Sequence, residues 1–371
     1  MTSASDPRDH LVIAIPDTTE DSDLGGLVCP APIPEVERVL LGHGSGGQLS
    51  AALMRDIIGP ALSTASPGGP LNDAAIVPLA GGLRLVFTTD SFVVSPIDFP
   101  GGDIGDLAVN GTVNDLAMMG GRPIALSLAY VIEEGLPIED LRRVTVSVAR
   151  AAERVGVPIV TGDTKVVGRG AADGIFVNTA GIGLVPDGVA PAADRARSGD
   201  VVIVSGPIGL HGVAIMSVRE GLGFEVEIAS DSQPLDGLVA AILAVDPDVH
   251  VLRDPTRGGL ASALNEIAAT SGVGITLDEP AIPIPGPVRA ACEMLGLDPL
   301  HVANEGKCVA VVGAERADAV LAAKRGRPEG EEAAVIGRVV AEHPGMVTIR
   351  TLVGSERIVD MLIGEQLPRI C

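Results

Sequence analysis

The chain has 371 residues, 46% of them hydrophobic but only 2% aromatic, with no Trp and a single Tyr. Its 48 acidic residues outnumber 26 basic ones and leave a net charge of −22, which argues against nucleic acid or an anionic membrane surface as a partner. The same charge leaves room for a nucleotide held through a divalent cation, because such a site needs carboxylates. That length suits two domains, and cores built from Val, Ile, Leu and Ala suit α/β layering. Four cysteines, Cys29, Cys292, Cys308 and Cys371, show neither metal-ligand spacing nor a disulfide framework, the pattern of a reducing cytoplasm. Met1–Glu20 is acidic and lacks the basic region and apolar core of a secretory signal, and no apolar stretch reaches the roughly 18 residues of a membrane span.

Residues 1–36 combine Asp6, Asp9, Asp17, Glu20, Asp21 and Asp23 with a Pro-rich run from Pro30 to Pro34, the composition of a flexible extension. A Gly-rich stretch follows, Leu41-Gly42-His43-Gly44-Ser45-Gly46-Gly47. Its bare backbone can approach a phosphate or a peptide closely, and a helix is predicted to begin near Gln48. It has the ending of neither a P-loop nor a dinucleotide fingerprint, so it reads equally as a plain turn. His43 within it is either a proton-transfer group or a solvated loop histidine.

Three acids then arise in different local settings. Asp73 precedes a β-like run, Asp90 closes a strand predicted over Leu83–Ser91, and Asp115 lies on a helix opened by Phe99–Gly105 and closed at Gly120-Gly121. That helix also carries Asn110 and Asn114, four apart and hence on one face, which is an unusual load of Asn for a helix interior. Each aspartate alone reads as a cap or turn residue. Together they form a carboxylate set for Mg²⁺, which takes one or two protein carboxylates besides the oxygens of nucleotide phosphates and water.

A strand is predicted over Arg122–Ile132 and a helix from Pro137, with Ile138, Leu141, Val144, Val148 and Val155 facing the core. The strand Val157–Thr161 should deliver Gly162-Asp163-Thr164-Lys165 at its end, bringing an acid, a hydroxyl and an amine together. Asp163 is a further candidate metal ligand with Thr164 beside it, and Lys165 can neutralise a transferring phosphoryl group or shuttle a proton. Lys165 also reads as an ordinary solvated lysine. After a strand over Gly174–Leu184 the composition turns to Pro, Ala and Asp. This places a domain boundary between 188 and 189, giving a first domain over 37–188 and a second over 189–345.

In the second domain the strand Val201–Ser205 runs into Gly206–Gly212, which contains His211. Helices are expected over Val213–Glu220, Leu235–Ala244 and Leu260–Thr270, the last entered through Arg253-Asp254-Pro255-Thr256-Arg257-Gly258-Gly259 with Thr256 as its cap. The two glycines of that charged turn let backbone amides face a ligand at the helix N-terminus, and Arg253–Asp254 also reads as a plain salt-bridged turn. Glu305, in Ala303-Asn304-Glu305-Gly306-Lys307, is the candidate general base, because apolar surroundings raise a carboxyl pKa toward neutrality; on an open surface it would be an ordinary Glu. Cys292 and Cys308 read as buried apolar residues. The segment 346–371 ends in Leu367-Pro368-Arg369-Ile370-Cys371 behind a possible hinge at Gly364. Pro368 pushes the residue before it toward extended backbone, so the tail should enter a groove and present the Cys371 thiol as a nucleophile.

From Leu41 to the ending Pro-Arg-Ile-Cys these motifs resemble the HypE family of hydrogenase maturation factors. They also resemble the wider ATP-dependent superfamily of aminoimidazole ribonucleotide (AIR) synthetase, selenophosphate synthetase and thiamine-phosphate kinase. The resemblance implies a mixed α/β (α+β) fold of two domains with ATP between them, and a homodimer joined through the first domain's sheet. It implies an ATP- and Mg²⁺-dependent carbamoyl dehydratase that turns an S-carboxamide on its own Cys371 into a thiocyanate, supplying cyanide ligands for nickel–iron hydrogenases. A HypF-like carbamoyltransferase and a HypC–HypD-like iron scaffold are the implied partners. The site expected on this basis comprises Cys371, Lys165, Glu305 and His43 for catalysis. Asp73, Asp90, Asn114, Asp115, Asp163 and Thr164 bind the cofactor, with Asp73, Asp90, Asp115 and Asp163 on the metal. One departure stands out: the family commonly has Asp before the His-Gly of the 206–212 loop, and this chain has Leu210, so His211 is left without an assigned role. Two other readings fit the same residues: an ATP-dependent enzyme acting on a free small molecule, and a non-catalytic carrier that docks its tail on a partner.

Overall fold

The computed structural model describes residues 38–65, 71–223, 227–364, 367 and 369–371. The acidic extension expected at 1–36, with Cys29, and the stiffening residue Pro368 lie outside the described residues.

A short 3₁₀ turn, Leu41–Gly44, leads into helices α1 (Gln48–Leu53) and α2 (Gly59–Leu62), which are joined by a π-helical turn. Then come β1 (Ala75–Pro78), β2 (Arg84–Phe92) and a two-residue hairpin pair, β3 (Asp98–Phe99) and β4 (Gly102–Asp103). Helix α3 (Ile104–Met118) follows, with the Asp103 carboxylate accepting from the amides of Gly105 and Asp106 as its N-cap. Every residue of α3 except Asp115 is buried, so it is a central helix rather than an amphipathic surface one. β5 (Arg122–Glu133), α4 (Ile138–Val155), β6 (Ile159–Val167) and β7 (Ile175–Val185) complete a five-stranded sheet in the order β1-β2-β7-β5-β6.

The remaining chain builds a second sheet. Its strands are β8 (Val201–Val204), β9 (Val251–Arg253), β10 (Gly274–Asp278), β11 (Val309–Val312), β12 (Ala334–Val340), β13 (Val347–Arg350) and β14 (Glu356–Val359). They are ordered β14-β13-β10-β12-β8-β11-β9. Around them lie α5 (Leu210–Arg219), α6 (Asp236–Val245), α7 (Gly259–Ser271), α8 (Gly286–Leu295) and α9 (Ala317–Arg325). β8 and β11 are buried at every position, as expected of all-aliphatic strands sandwiched by helices: α7 residues pack on one face, α6 and α9 residues on the other. A further cluster joins Phe92, Ile104 and Leu107 of the first sheet's layer to Val213 and Ile215 of α5, and to Leu367 and Ile370 of the tail.

Three local expectations change. Ile138, expected in the core, is 71% exposed at the first position of α4, where no preceding turn covers it. The run Gly162–Lys165 is no loop at a strand terminus but the middle of β6, paired in parallel with β5 from Leu126 to Glu133. Gly162 does not free the backbone there; it lets two strands approach, because a Cβ would lie 2.1 Å from the Leu128 carbonyl oxygen. Helix α7 is capped at Gly258 in the left-handed region, φ +72°, and not by Thr256, whose carbonyl instead accepts from the Gly259 amide at 2.9 Å.

Candidate active site

The acids spread along the sequence meet in a cavity of about 250 Å³ lined by Asp73, Asp90, Asp115, Asp254, Arg253 and Arg257, with Glu305 and Cys371 among its other walls. Each comes from a different kind of element. Thr88 and Asp90 are two residues apart on β2 and so share a face of the sheet. The Thr88 hydroxyl bonds the Asp115 carboxylate at 2.8 Å. Asp115 is the one position of α3 turned away from the core. Asp73 precedes β1, held by Arg253 Nη1 at 2.9 Å. Arg253 ends β9 and also pairs with Glu266 of α7. Past it, Asp254 and Arg257 form the turn into that helix, and Gly46 of the Gly-rich stretch sits so close that a Cβ on it would meet Arg257 at 2.7 Å.

The carboxylate oxygens of Asp73, Asp115 and Asp254 lie within 4.8 Å of one another. Six acids and two arginines line the cavity, and burial raises the pKa of five of those acids. Burial raises Asp73 to about 8 against the pull of Arg253, with Asp254 and Glu266 adding to the rise. Asp254 is raised to about 6, again by burial and against Arg253. Burial and then the charges of Asp254, Asp73 and Asp90 push Asp115 well above the carboxylate range; burial also raises Asp90, with Arg257 opposing.

Glu305 is 3% exposed, one of its carboxylate oxygens has no hydrogen-bond partner, and burial reinforced by Asp254 and Asp90 raises its pKa strongly. A buried carboxyl of raised pKa has the character of a proton-transfer group. Its loop is fixed from below: the Glu305 amide donates to Asp231 Oδ1 at 3.1 Å, and Gln233 Nε2 donates to the Gly306 carbonyl at 3.0 Å.

The tail reaches this cavity along the segment that follows β2. The Val93 amide donates to the Cys371 carbonyl at 3.0 Å and the Ser95 amide to the Arg369 carbonyl at 3.3 Å. Arg369 returns Nε to the Val93 carbonyl at 3.1 Å and pairs with Asp173. Arg219 donates to the carbonyls of Ser95 and Arg369. In this seat burial and the Glu305 charge push the Cys371 thiol far up, with Arg257 opposing, so it is held protonated.

Several expected site residues stand elsewhere. His43 is in the exposed 3₁₀ turn, its Nδ1 taking the Leu40 amide at 3.0 Å. Asn114 is buried and its amide is spent on structure: Nδ2 donates to the carbonyls of Gln233 and Glu305, and Oδ1 accepts from the Leu235 amide at 2.8 Å. Asp163 and Lys165 pair with each other at 2.6 Å on the exposed strand β6, with side chains 62% and 68% exposed, and Thr164 lies between them. None of these five lines the cavity of its own chain. Conversely, Arg253, Asp254 and Arg257 line it without having been expected to; the charge-dense turn before two glycines was the available signal. His211, left unassigned, is fully buried against the tail.

Comparison with known proteins bears on the same cavity. Residues 71–185 match the model "AIR synthase related protein, N-terminal domain", and residues 197–350 match its C-terminal domain. "Carbamoyl dehydratase HypE" of Azotobacter vinelandii is 55% identical over 329 residues, covering 89% of this chain and 96% of that relative. Among solved structures, a HypE–HypF complex superposes with a TM-score of 0.77 at 46% identity, covering 83% of this chain and 100% of that one. HypE in complex with ATP superposes with a TM-score of 0.76 at 48% identity, covering 90% and 100%.

Proposed function

Because this chain belongs to the HypE family within the AIR synthase related proteins, we propose that it is an ATP-dependent carbamoyl dehydratase of hydrogenase maturation whose substrate is its own Cys371. The observation that carries this reading is the tail: Cys371 lines the same cavity as Glu305 and the three converging aspartates. A partner of the HypF kind supplies the S-carboxamide, and an iron scaffold of the HypC–HypD kind receives the cyano group. The reaction takes place in the cytoplasm, where unpaired thiols such as Cys292, Cys308 and Cys371 persist.

The oxygen-only set of Asp73, Asp115 and Asp254, whose carboxylate oxygens lie within 4.8 Å of one another, suits Mg²⁺. Bound there, the ion would neutralise the phosphates of ATP. This set replaces the one expected from sequence: Asp254 joins it, Asp90 stands beside it, and Asp163 is outside. A carboxamide oxygen leaves poorly as hydroxide, so a phosphoryl group passes from ATP to that oxygen while one of the two nitrogen protons is released to solvent, giving ADP and an S-bound phosphorylated imidate. Glu305 takes the remaining proton from nitrogen as the C–O bond to phosphate breaks, leaving S–C≡N and inorganic phosphate. Arg253 and Arg257 hold the anionic groups in place. Burial pushes the docked thiol up and so disfavours its nucleophilic thiolate form, which favours acceptance of the carboxamide with the tail out of the cavity.

We further place the domain boundary between 188 and 189 and read the exposed strand β6 as the seam of a homodimer. Eight of its nine residues are exposed, Val160 and Val166 among them, and an open apolar edge of that length is a pairing surface unless covered. Asp163, Thr164 and Lys165 then act toward the partner's cavity rather than their own.

The test is intact-mass analysis of the chain with the carbamoylating partner and carbamoyl phosphate, with and without ATP, beside Cys371→Ala. An adduct that loses the mass of one water only with ATP, and never forms on the variant, is the expected result. An unmodified tail while ATP is consumed on an added metabolite would replace this reading with the small-molecule enzyme.

A further inference from the structure

We infer that His211 is the positioning residue of the reacting tail: a neutral imidazole that fixes the register of Cys371 against Glu305. The ring is fully buried at the first turn of α5 and packs edge-on against Phe99, centroids 5.4 Å apart. Its two nitrogens meet partners that settle its tautomer. Nε2 lies 2.7 Å from the carbonyl oxygen of Ile370, which can only accept, so Nε2 carries the hydrogen. Nδ1 lies 2.8 Å from the Ser230 hydroxyl and accepts from it. That hydroxyl is free to donate because its oxygen takes the Ser232 amide at 3.1 Å. Every polar atom of the chain of bonds is thereby used once, with the imidazole uncharged. Burial, which lowers its pKa, agrees with this.

The bond falls on the residue immediately before Cys371, and its other end rests on the segment that positions the base. Ser230 is followed by Asp231, whose carboxylate holds the Glu305 amide, and by Gln233, which holds the Gly306 carbonyl. The tail and Glu305 are therefore both registered to the strap 230–233, the tail through His211. Leu210, where the family commonly carries Asp, packs with the same apolar cluster as Ile370 and leaves this bond intact.

The inference rests on the tail-carrier reading, yet its test needs neither ATP nor the carbamoylating partner. The full chain is treated with N-ethylmaleimide and modification of Cys371 is timed by peptide mass. His211→Phe keeps the ring's volume against Phe99 and removes the donor; losing one buried hydrogen bond should speed alkylation about tenfold. His211→Gln restores an N–H donor and should return the rate to within about twofold of the unchanged chain. An unchanged rate in His211→Phe, or equal acceleration in both variants, overturns the inference, the second by revealing a general loosening around α5. Should His211→Phe fail to fold, Ser230→Ala leaves the ring but removes the hydroxyl that fixes its tautomer. Alkylation about threefold faster supports the inference, and an unchanged rate overturns it.

Discussion

At the scale of single residues, the cavity is organised by what burial does to carboxyls. Glu305 combines a buried, partly unpartnered carboxylate with a raised pKa, so its amide should keep the tail seated while removing proton transfer. For Glu305→Gln the expected outcome is normal acceptance of the S-carboxamide and ATP-dependent dehydration slowed by about 10²–10⁴, read by intact mass in a single turnover. The aspartates give a second expectation. Asp73 folded titrates at about 8, whereas an unfolded Asp titrates at about 3.9, so the folded state binds the proton more tightly between those values. The stability this contributes is present at low pH and is lost as pH rises through about 8; Asp254 acts in the same sense, losing its share by about 6. The melting temperature of the ion-free chain should therefore fall from about pH 5 to pH 8.5. Asp73→Asn should flatten the profile, and added Mg²⁺ should raise the melting point more at the alkaline end. A profile that rises over that range would sink the argument.

At the scale of elements, the site depends on how the turn before α7 is built. Gly258 holds φ +72°, and a Cβ on it would lie 2.1 Å from the Ser262 hydroxyl and 3.1 Å from the Gly46 carbonyl oxygen. The left-handed backbone and the close approach of the Gly-rich stretch both require a glycine. Gly258→Ala should cost about 1–3 kcal/mol, a melting drop of several degrees for a chain of this size. It should also weaken ATP binding, because Arg253, Asp254 and Arg257 ride on the same turn. Equal melting curves and equal nucleotide affinity by calorimetry would show that the turn tolerates a side chain. Helix α3 illustrates the same coupling: its burial fixes Asp115 toward the cavity while Asn114 is consumed in clamping the Glu305 loop.

At the scale of the whole molecule, the question is where Asp163 and Lys165 act. They sit on an exposed edge of the sheet and line no part of their own cavity. In a homodimer paired through β6, mixing Asp163→Asn with Cys371→Ala should regenerate dehydration on the Asp163→Asn tail, because the Cys371→Ala subunit supplies the missing carboxylate. Neither variant alone should do so. Val160→Glu should disperse the dimer, as light scattering would report, and should reduce activity with it. Failure of the mixture to recover, with the dimer intact, would confine Asp163 to a structural role in its own chain.

The sequence alone determined the α/β character, since aliphatic runs and helical periods are local signals. It also determined the chemistry on offer, since Asp73, Asp90, Asp115, Glu305 and Cys371 were legible as acids, a base candidate and a thiol in Gly-rich settings, and all five line one cavity. It could not rank Asp254 over Asp163 as the third carboxylate of the cluster, because both are aspartates in short polar stretches that differ only in what packs around them. Nor could local pattern place His43 and Asn114, which the resemblance assigned to the site, or give His211 a role. A histidine or asparagine is the same residue whether solvated, clamping a loop or cradling a tail, and only long-range contacts separate those fates. His211 stands 159 positions from Ile370 and Asn114 stands 191 from Glu305. No local pattern spans such distances. Tertiary packing decided which polar groups were spent on holding the fold and which were left facing the cavity.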